Sequence, residues 1–133
     1  MSSDRQQNRP QLRPCPRRPN CVSSLASRED QFVAPIENAE PSDLDTLRAV
    51  LEETDRCTVV EASATYLRAE CKSRFLGLVD DLELLLDTES NTIHIRSASR
   101  IGYSDLGVNR RRVEALKSKF RQRRESTHDP ERR

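Results

Sequence analysis

Residues 75–99 read FLGLVDDLELLLDTESNTIHIRSAS, and this stretch decides the fold. In the run at 75–87, five of the six leucines carry even numbers, which is the spacing of side chains along one face of a β-strand. Asp80 interrupts that face. Residues 88–91 supply a four-residue turn, and we expect residues 92–99 to form the partner strand.

The side chains of this hairpin predict its register. One alignment sets apolar residues opposite each other on one face and a carboxylate opposite a guanidinium on the other. The predicted pairs are Asp87–Thr92, Leu86–Ile93, Leu84–Ile95 and Glu83–Arg96. Because a slip of one residue would break every pair, the sequence favours an antiparallel hairpin over a helix.

Two helices are predicted on either side of the strands. Residues 42–54 begin with Ser42 and Asp45 at capping-box spacing. The apolar residues that then recur at helical spacing are Leu44, Leu47, Val50 and Leu51. Residues 109–124 begin with Asn109 as a predicted N-cap. Their apolar stripe is Val113, Leu116 and Phe120.

Two short strands complete the predicted core. Residues 57–62 are rich in β-branched side chains and residues 65–72 alternate, with a turn near residues 63–64. The fold class is therefore α+β: a small four-stranded antiparallel sheet with two helices packed on one face, plus an irregular N-terminal arm.

The chain is long enough for one domain. Of its 133 residues, 34% are hydrophobic and 34% are charged, with no tryptophan. Residues 15–124 are predicted to form a single domain, divided into the irregular arm at 15–41 and a core at 42–124. The basic segment 1–14 and the tail 125–133 are predicted to be disordered.

Charge is segregated along the chain. Five arginines and one aspartate give residues 1–20 a net charge of +4, residues 28–107 carry −9, and residues 108–133 carry +6. No apolar run approaches the length of a membrane helix, and no secretory leader is visible. We therefore expect a cytoplasmic protein without a membrane span.

The segment Arg96–Arg110, RSASRIGYSDLGVNR, is the richest in chemistry. It lies between a predicted strand and a predicted helix start, where backbone N–H groups favour anions. The residues predicted to bind a small anion or a protein partner are Ser99, Arg100, Tyr103, Ser104 and Arg110. Structural roles explain others equally well: Asp105 bonding loop N–H groups, Asn109 capping the helix, and Arg96 pairing with Glu83.

An alternative interpretation is a metal-assisted hydrolase that uses Asp80, Asp81 and Glu83. These acids are predicted to lie near Ser97, Ser99 and Tyr103. Adjacent carboxylates can bind a hard cation such as Mg²⁺. Arg96 and Arg100 can instead neutralise these acids, and the sequence favours this salt bridging. No catalytic residue, metal or cofactor is therefore predicted.

The four cysteines leave alternatives open. Cys15 and Cys21 are separated by five residues, wider than the usual metal knuckle. Cys57 and Cys71 would lie opposite one another in the first hairpin. Without a visible leader a stable disulfide is not expected, and small buried hydrophobes are the favoured interpretation. A four-cysteine zinc site or a redox pair stays open.

Nucleic-acid contact by the final helix is a weaker alternative. Its cations are Arg110, Arg111, Arg112, Lys117, Lys119, Arg121, Arg123 and Arg124. The segment lacks aromatic residues for base stacking beyond a single phenylalanine in the apolar stripe, and no two-helix reader is recognisable. Nucleic acid is therefore not expected as a partner, and the sequence does not indicate an oligomeric state.

Three motifs resemble the bacterial and plastid family catalogued as domain of unknown function 1499. They are CPRRPNCVSS at 15–24, FLGLVDDLE at 75–83 and RSASRIGYSDLGVNRRR at 96–112. The similarity covers roughly residues 15–122. It implies no particular activity, because the family has no assigned reaction. Many members look exported or membrane-anchored, whereas this chain shows no apolar leader and carries a basic tail. A non-catalytic binding module that acts through Arg96–Arg110 is the function that the sequence favours.

Overall fold

The computed structural model describes residues 11–73 and 77–128. Its elements, in chain order, are β1 Cys21–Ser23, α1 Pro41–Glu52, β2 Cys57–Ala62, β3 Tyr66–Lys72, β4 Val79–Asp87, β5 Thr92–Ser99 and α2 Val108–His128. A short 3-10 helix, Glu29–Gln31, follows β1. The strands form one antiparallel sheet in the order β1-β5-β4-β3-β2. The predicted α+β class is confirmed.

The hairpin of β4 and β5 has the predicted register. The observed pairs include Asp87–Thr92, Leu86–Ile93, Leu84–Ile95 and Glu83–Arg96. The even-numbered leucines Leu82, Leu84 and Leu86 are buried, as the alternation predicts. Phe75 and Leu76, which began the predicted strand, lie outside the described residues.

The first hairpin also forms, with one irregularity. Cys57 lies opposite Cys71 as predicted, and the register shifts between Val59 and Glu61. Such a bulge bends a strand locally. β2 is the outermost strand, and most of its side chains are exposed. An exposed edge strand with a bulge is a poor template for pairing with another chain.

The prediction of four strands is wrong, because the sheet has five. The additional strand is β1, which belongs to the arm that was predicted to be irregular. It pairs with β5 through Cys21–Ala98, Val22–Ser97 and Ser23–Arg96. Three residues are too few to show alternation in the sequence, so only the long-range pairing reveals the strand.

The expectation of unpaired cysteines is also wrong. Disulfides join Cys15 to Cys21 and Cys57 to Cys71. The first closes a small loop of the arm next to β1, and the second links β2 to β3. In both pairs the backbone brings the two Cα atoms within reach, 5.6 Å and 4.1 Å apart.

The helix α1 begins earlier than predicted. Pro41 occupies its first turn, and the backbone N–H of Glu40 donates to the carboxylate of Asp43 at 2.7 Å. The capping pair is thus Glu40 with Asp43 rather than Ser42 with Asp45. A proline suits the first turn because its missing N–H would have had no partner there.

The helix α2 is longer than predicted. It continues through residues 125–128, which were assigned to the disordered tail, whereas residues 1–10 and 129–133 lie outside the described residues. Its predicted stripe is confirmed, since Val113, Leu116 and Phe120 are buried. No helix within residues 11–73 and 77–128 is long and apolar enough to cross a membrane.

Both helices pack on the same face of the sheet. One core cluster unites the apolar residues of α1 and α2 with the inward-facing residues of β3, β4 and β5, among them Leu47, Ala69, Leu84, Ile95 and Phe120. The opposite face carries Tyr66, Glu83 and Arg96, which are also buried. Arg96 Nη2 donates to the carbonyl of Pro14 at 3.3 Å, so the arm crosses this second face.

Candidate functional site

Residues 100–107, here named the β5–α2 loop, connect the end of β5 to the start of α2. Two residues of the arm hold this loop in place. The Asn20 side chain donates to the carbonyl of Gly102 at 2.7 Å, and the Asp105 N–H donates to the carbonyl of Pro19 at 3.0 Å. The loop therefore has a defined position against the rest of the fold.

Asp105 organises the turn into α2. Its two carboxylate oxygens accept from the N–H groups of Gly107, at 2.8 Å, and Asn109, at 3.1 Å. The predicted bonding of loop N–H groups by Asp105 is confirmed. The predicted cap, Asn109, is already the second residue of the helix, so Asp105 satisfies the free N–H groups instead.

Asn109 is instead the centre of a buried polar network. Its Oδ1 accepts from Ser97 Oγ at 2.6 Å and from Arg112 Nη1 at 3.1 Å. Its Nδ2 donates to Asp105 Oδ2 at 2.7 Å and to Ser99 Oγ at 3.0 Å. The amide thus fixes the start of α2 against β5 and the loop, and it occupies Ser99, one of the residues predicted to bind a ligand.

Arg96 is engaged on the other face of the sheet. Its Nη1 lies 3.5 Å from Glu83 Oε1, while the Tyr66 hydroxyl donates to Glu83 Oε2 at 2.7 Å. The predicted Arg96–Glu83 pair is confirmed. Burial, and then the hydrogen bond to Glu83, raise the pKa of Tyr66 far above its usual value, while burial lowers the pKa of Arg96. Arg96 is therefore a structural cation.

Arg100 is neutralised by two carboxylates. Its guanidinium bonds Asp81 through Nε at 2.8 Å and Nη2 at 2.9 Å, and Nη2 also lies 2.6 Å from Glu70. Arg68 approaches the same Asp81 at 3.1 Å. The hydrogen bond from Arg100 holds the pKa of Asp81 below its ordinary value. Arg100 has little charge left to offer an incoming anion.

The remaining predicted ligand-binding residues do not converge. Arg110 donates to the backbone carbonyls of Phe32, at 2.9 Å, and Asp30, at 3.0 Å. Ser104 Oγ accepts from the N–H of Leu106 at 3.2 Å, and Tyr103 is exposed. Arg96, Arg100 and Arg110 therefore each bond different groups of the protein, and they do not line one common anion pocket.

The acidic trio is divided between the two faces of the sheet. Asp80 lies on the helix side and pairs with Arg112 at 2.7 Å, whereas Asp81 and Glu83 face the arm side with their arginine partners. Among residues 11–73 and 77–128, no three His, Cys, Asp or Glu side chains are grouped to hold a metal ion. Nothing in this arrangement favours the metal-assisted hydrolase.

Most of the basic side chains of α2 bond other parts of the protein. Lys117 donates to the carbonyl of Ala34, Arg123 pairs with Glu53 at 2.7 Å, and Arg124 donates to the carbonyl of Asn38. Because these cations already have partners within the protein, α2 presents few free charges to the phosphate backbone of a nucleic acid. This arrangement does not favour the nucleic-acid alternative.

Sequence reasoning singled out Tyr103 but missed the two other highly exposed apolar side chains of the loop, Ile101 and Leu106. Ile101 is 61% exposed, Tyr103 69% and Leu106 83%. Leu106 also has a φ of 54°, a left-handed conformation that is unusual for a leucine. The available signal was that these residues fit neither of the periodic patterns that build the core.

The comparisons with known proteins agree with the motifs at residues 15–24, 75–83 and 96–112. Residues 11–120 match the family described as "Protein of unknown function (DUF1499)". No curated protein matches the chain. Since the matched segment covers most of the chain and contains all strands found in the described residues, the protein belongs to the DUF1499 family.

Proposed function

We propose that the protein is a non-catalytic binding module whose β5–α2 loop recognises a protein partner. The observation that carries this proposal is the exposure of Ile101, Tyr103 and Leu106 on one short loop. Exposed apolar side chains that cluster on an otherwise charged surface are typical of interaction sites. Tyrosine and leucine also supply large contact area for few rotatable bonds.

The loop is pre-ordered for binding. Besides the bonds from Asn20 and Asp105, the N–H of Arg100 donates to the carbonyl of Val79 at 3.1 Å. Arg111 Nη1 donates to the carbonyl of Leu106 at 3.1 Å. A loop that is already ordered loses less conformational entropy when a partner binds.

The surroundings indicate the chemistry of the partner. Arg18 precedes Pro19, whose carbonyl accepts from the N–H of Asp105, and Arg111 donates to the carbonyl of Leu106; both arginine side chains are exposed. Exposed cations next to an apolar loop favour a partner surface that combines apolar and acidic residues. The small-anion version of the proposal has less support, because the loop arginines already hold internal partners.

Display selection tests this proposal. Random peptides are selected on the full-length protein, and enriched sequences are expected to combine aliphatic or aromatic residues with Asp or Glu. Leu106→Asn is expected to weaken their binding about tenfold, which corresponds to the loss of one well-packed side chain. Asparagine tolerates the left-handed backbone, so the variant is expected to keep its fold.

The matched control is Leu25→Asn. Leu25 is 56% exposed and lies beside His94, away from the β5–α2 loop. It is expected to leave peptide binding within about twofold of the wild type. The proposal fails if the selected peptides lose equal affinity in both variants, or if no peptide of this composition is enriched.

A further inference from the structure

A cavity of about 310 Å³ opens where the end of α1, the start of β2, the end of β3 and the first turns of α2 meet. Its floor is apolar, formed by Leu51, Cys71, Leu82 and Leu116, each of them buried. None of its described lining residues belongs to the β5–α2 loop. The cavity is therefore centred apart from the β5–α2 loop, although Arg111 borders both sites.

The rim of this cavity is strongly basic. The cations around it are Arg56, Lys72, Arg111 and Lys119, all of them exposed, and the only acidic residue among its described lining is Asp55. Arg112 lies further in, where it pairs with Asp80. The cavity therefore combines an apolar floor with a positively charged mouth.

Three of the rim cations have no partner of their own. Within the described part of the chain, the side chains of Arg56, Lys72 and Lys119 form no ion pair or hydrogen bond. Elsewhere in the fold, cations such as Arg68 and Arg100 are held by nearby carboxylates. Arg56 and Lys72 stand out in particular, because they are unpaired within residues 28–107, which carry a net charge of −9.

We propose that this cavity is a binding site for a small amphiphilic anion, one with an apolar chain or ring and a single anionic head. The head would lie at the mouth, where Arg56, Lys72 and Lys119 supply charge-assisted hydrogen bonds. The apolar part would cover Leu82 and Leu116 on the floor. The volume lies at the low end of the roughly 300–1,000 Å³ of small-molecule pockets, which favours a short chain or one ring.

Titration of the full-length protein with octanoate tests the site directly. With methyl-labelled leucines, the resonances of Leu51, Leu82 and Leu116 are expected to shift in a saturable manner, while that of Leu25 stays in place. Octyl phosphate is expected to bind as well, and it distinguishes a preference for a phosphate head from a preference for a carboxylate. Octanol and octylamine carry the same chain without the negative charge and are expected to bind about tenfold more weakly or not at all.

A pair of double variants tests the role of the charges. Lys72→Gln/Lys119→Gln removes two cations from the mouth and is expected to weaken octanoate binding about tenfold. Arg48→Gln/Arg121→Gln removes the same charge from exposed positions of the helices that do not line the cavity, and binding is expected to change less than about twofold. Far-ultraviolet circular dichroism checks that both variants fold.

Three results would overturn the proposal. The first is octanoate that shifts none of the floor methyl resonances. The second is equal binding of octanol and octanoate, which would leave the basic rim without a role. The third is equal weakening by the two double variants, which would reduce the effect to overall charge. The display experiment on Leu106 is independent of all three, since that side chain does not line the cavity.

Discussion

Asn109 shows at the scale of one residue why the signature segment is polar yet buried. This side chain is fully buried, and both its oxygen and its nitrogen have two or more partners. Through Ser97 and Asp105 it connects β5 to the start of α2. A satisfied buried amide defines geometry more narrowly than an apolar side chain of similar size, because its bonds are directional.

Asn109→Ala is expected to destabilise the protein by about 3 kcal/mol. The substitution leaves the buried Ser97 hydroxyl without its acceptor and removes one donor from the half-buried Asp105 carboxylate, which keeps the backbone N–H groups of Gly107 and Asn109. Urea denaturation measures the difference. Gln122→Ala removes an exposed amide from the same helix and is expected to change stability by less than about 0.5 kcal/mol. Similar values for the two variants would contradict the central role of Asn109.

The sequence predicted residue contacts well where they are local or follow from strand register. Asp105 bonds the next turn, and Arg96 faces Glu83 across a hairpin, so spacing and parity were sufficient. Arg100 was expected either to bind a ligand or to neutralise the acidic trio, and it pairs with Asp81. Its second partner and the partners of Arg110 were missed because they are distant in the chain. Glu70 is 30 residues before Arg100, and the carbonyl of Phe32 is 78 residues before Arg110. Only the complete sheet brings these groups together.

At the scale of elements, the hairpin of β2 and β3 depends on its disulfide. β2 is an edge strand with mostly exposed side chains, so apolar burial holds it weakly. Cys57→Ser/Cys71→Ser removes a link across 14 residues and is expected to cost about 3 kcal/mol. Hydrogen exchange is expected to accelerate first in the amides of β2.

The arm disulfide provides the control for that experiment. Cys15→Ser/Cys21→Ser is expected to accelerate exchange in β1 and the arm, while β2 keeps its protection, because β1 and β2 lie at opposite edges of the sheet. If both double variants loosened the same strands, neither disulfide would have the local role that the topology gives it.

The ends of helices and strands could be predicted only where the periodic spacing of apolar side chains continues to the end of the element. The alternation of β4 and the cross-strand charge pair were sufficient to predict its register with β5. The strand β1 was missed because three residues show no period and its partner lies about 75 residues later. The start of α1 was misplaced because two overlapping capping patterns, at residues 40–43 and 42–45, compete in the sequence, and Pro41 favours the earlier one.

The whole molecule has a sheet with two different faces. The face beneath the helices is apolar apart from the Asn109 network and the Asp80–Arg112 pair. The face beneath the arm is polar and largely ion-paired, with His94 and Arg96 among its residues. Because the second face carries ionisable side chains, we expect the stability of the domain to depend on pH. Apolar side chains alone would not produce such a dependence.

His94 is expected to set the first step of acid destabilisation. Burial lowers its pKa below the ordinary 6.5, against a smaller opposing effect of Asp87, and its Nδ1 lies 3.0 Å from Ser24 Oγ. The unfolded chain therefore binds a proton at higher pH than the folded one, so stability is full above pH 6.5 and falls as the pH drops from there towards the folded pKa. Asp81 acts only later, because its lowered pKa costs stability below its ordinary 3.8. Thermal unfolding at a series of pH values is expected to show a loss of stability for the wild type as the pH falls below 6.5, which His94→Gln largely lacks. The two curves are then expected to fall together as carboxylates protonate, and parallel curves over the whole range would show that His94 does not contribute.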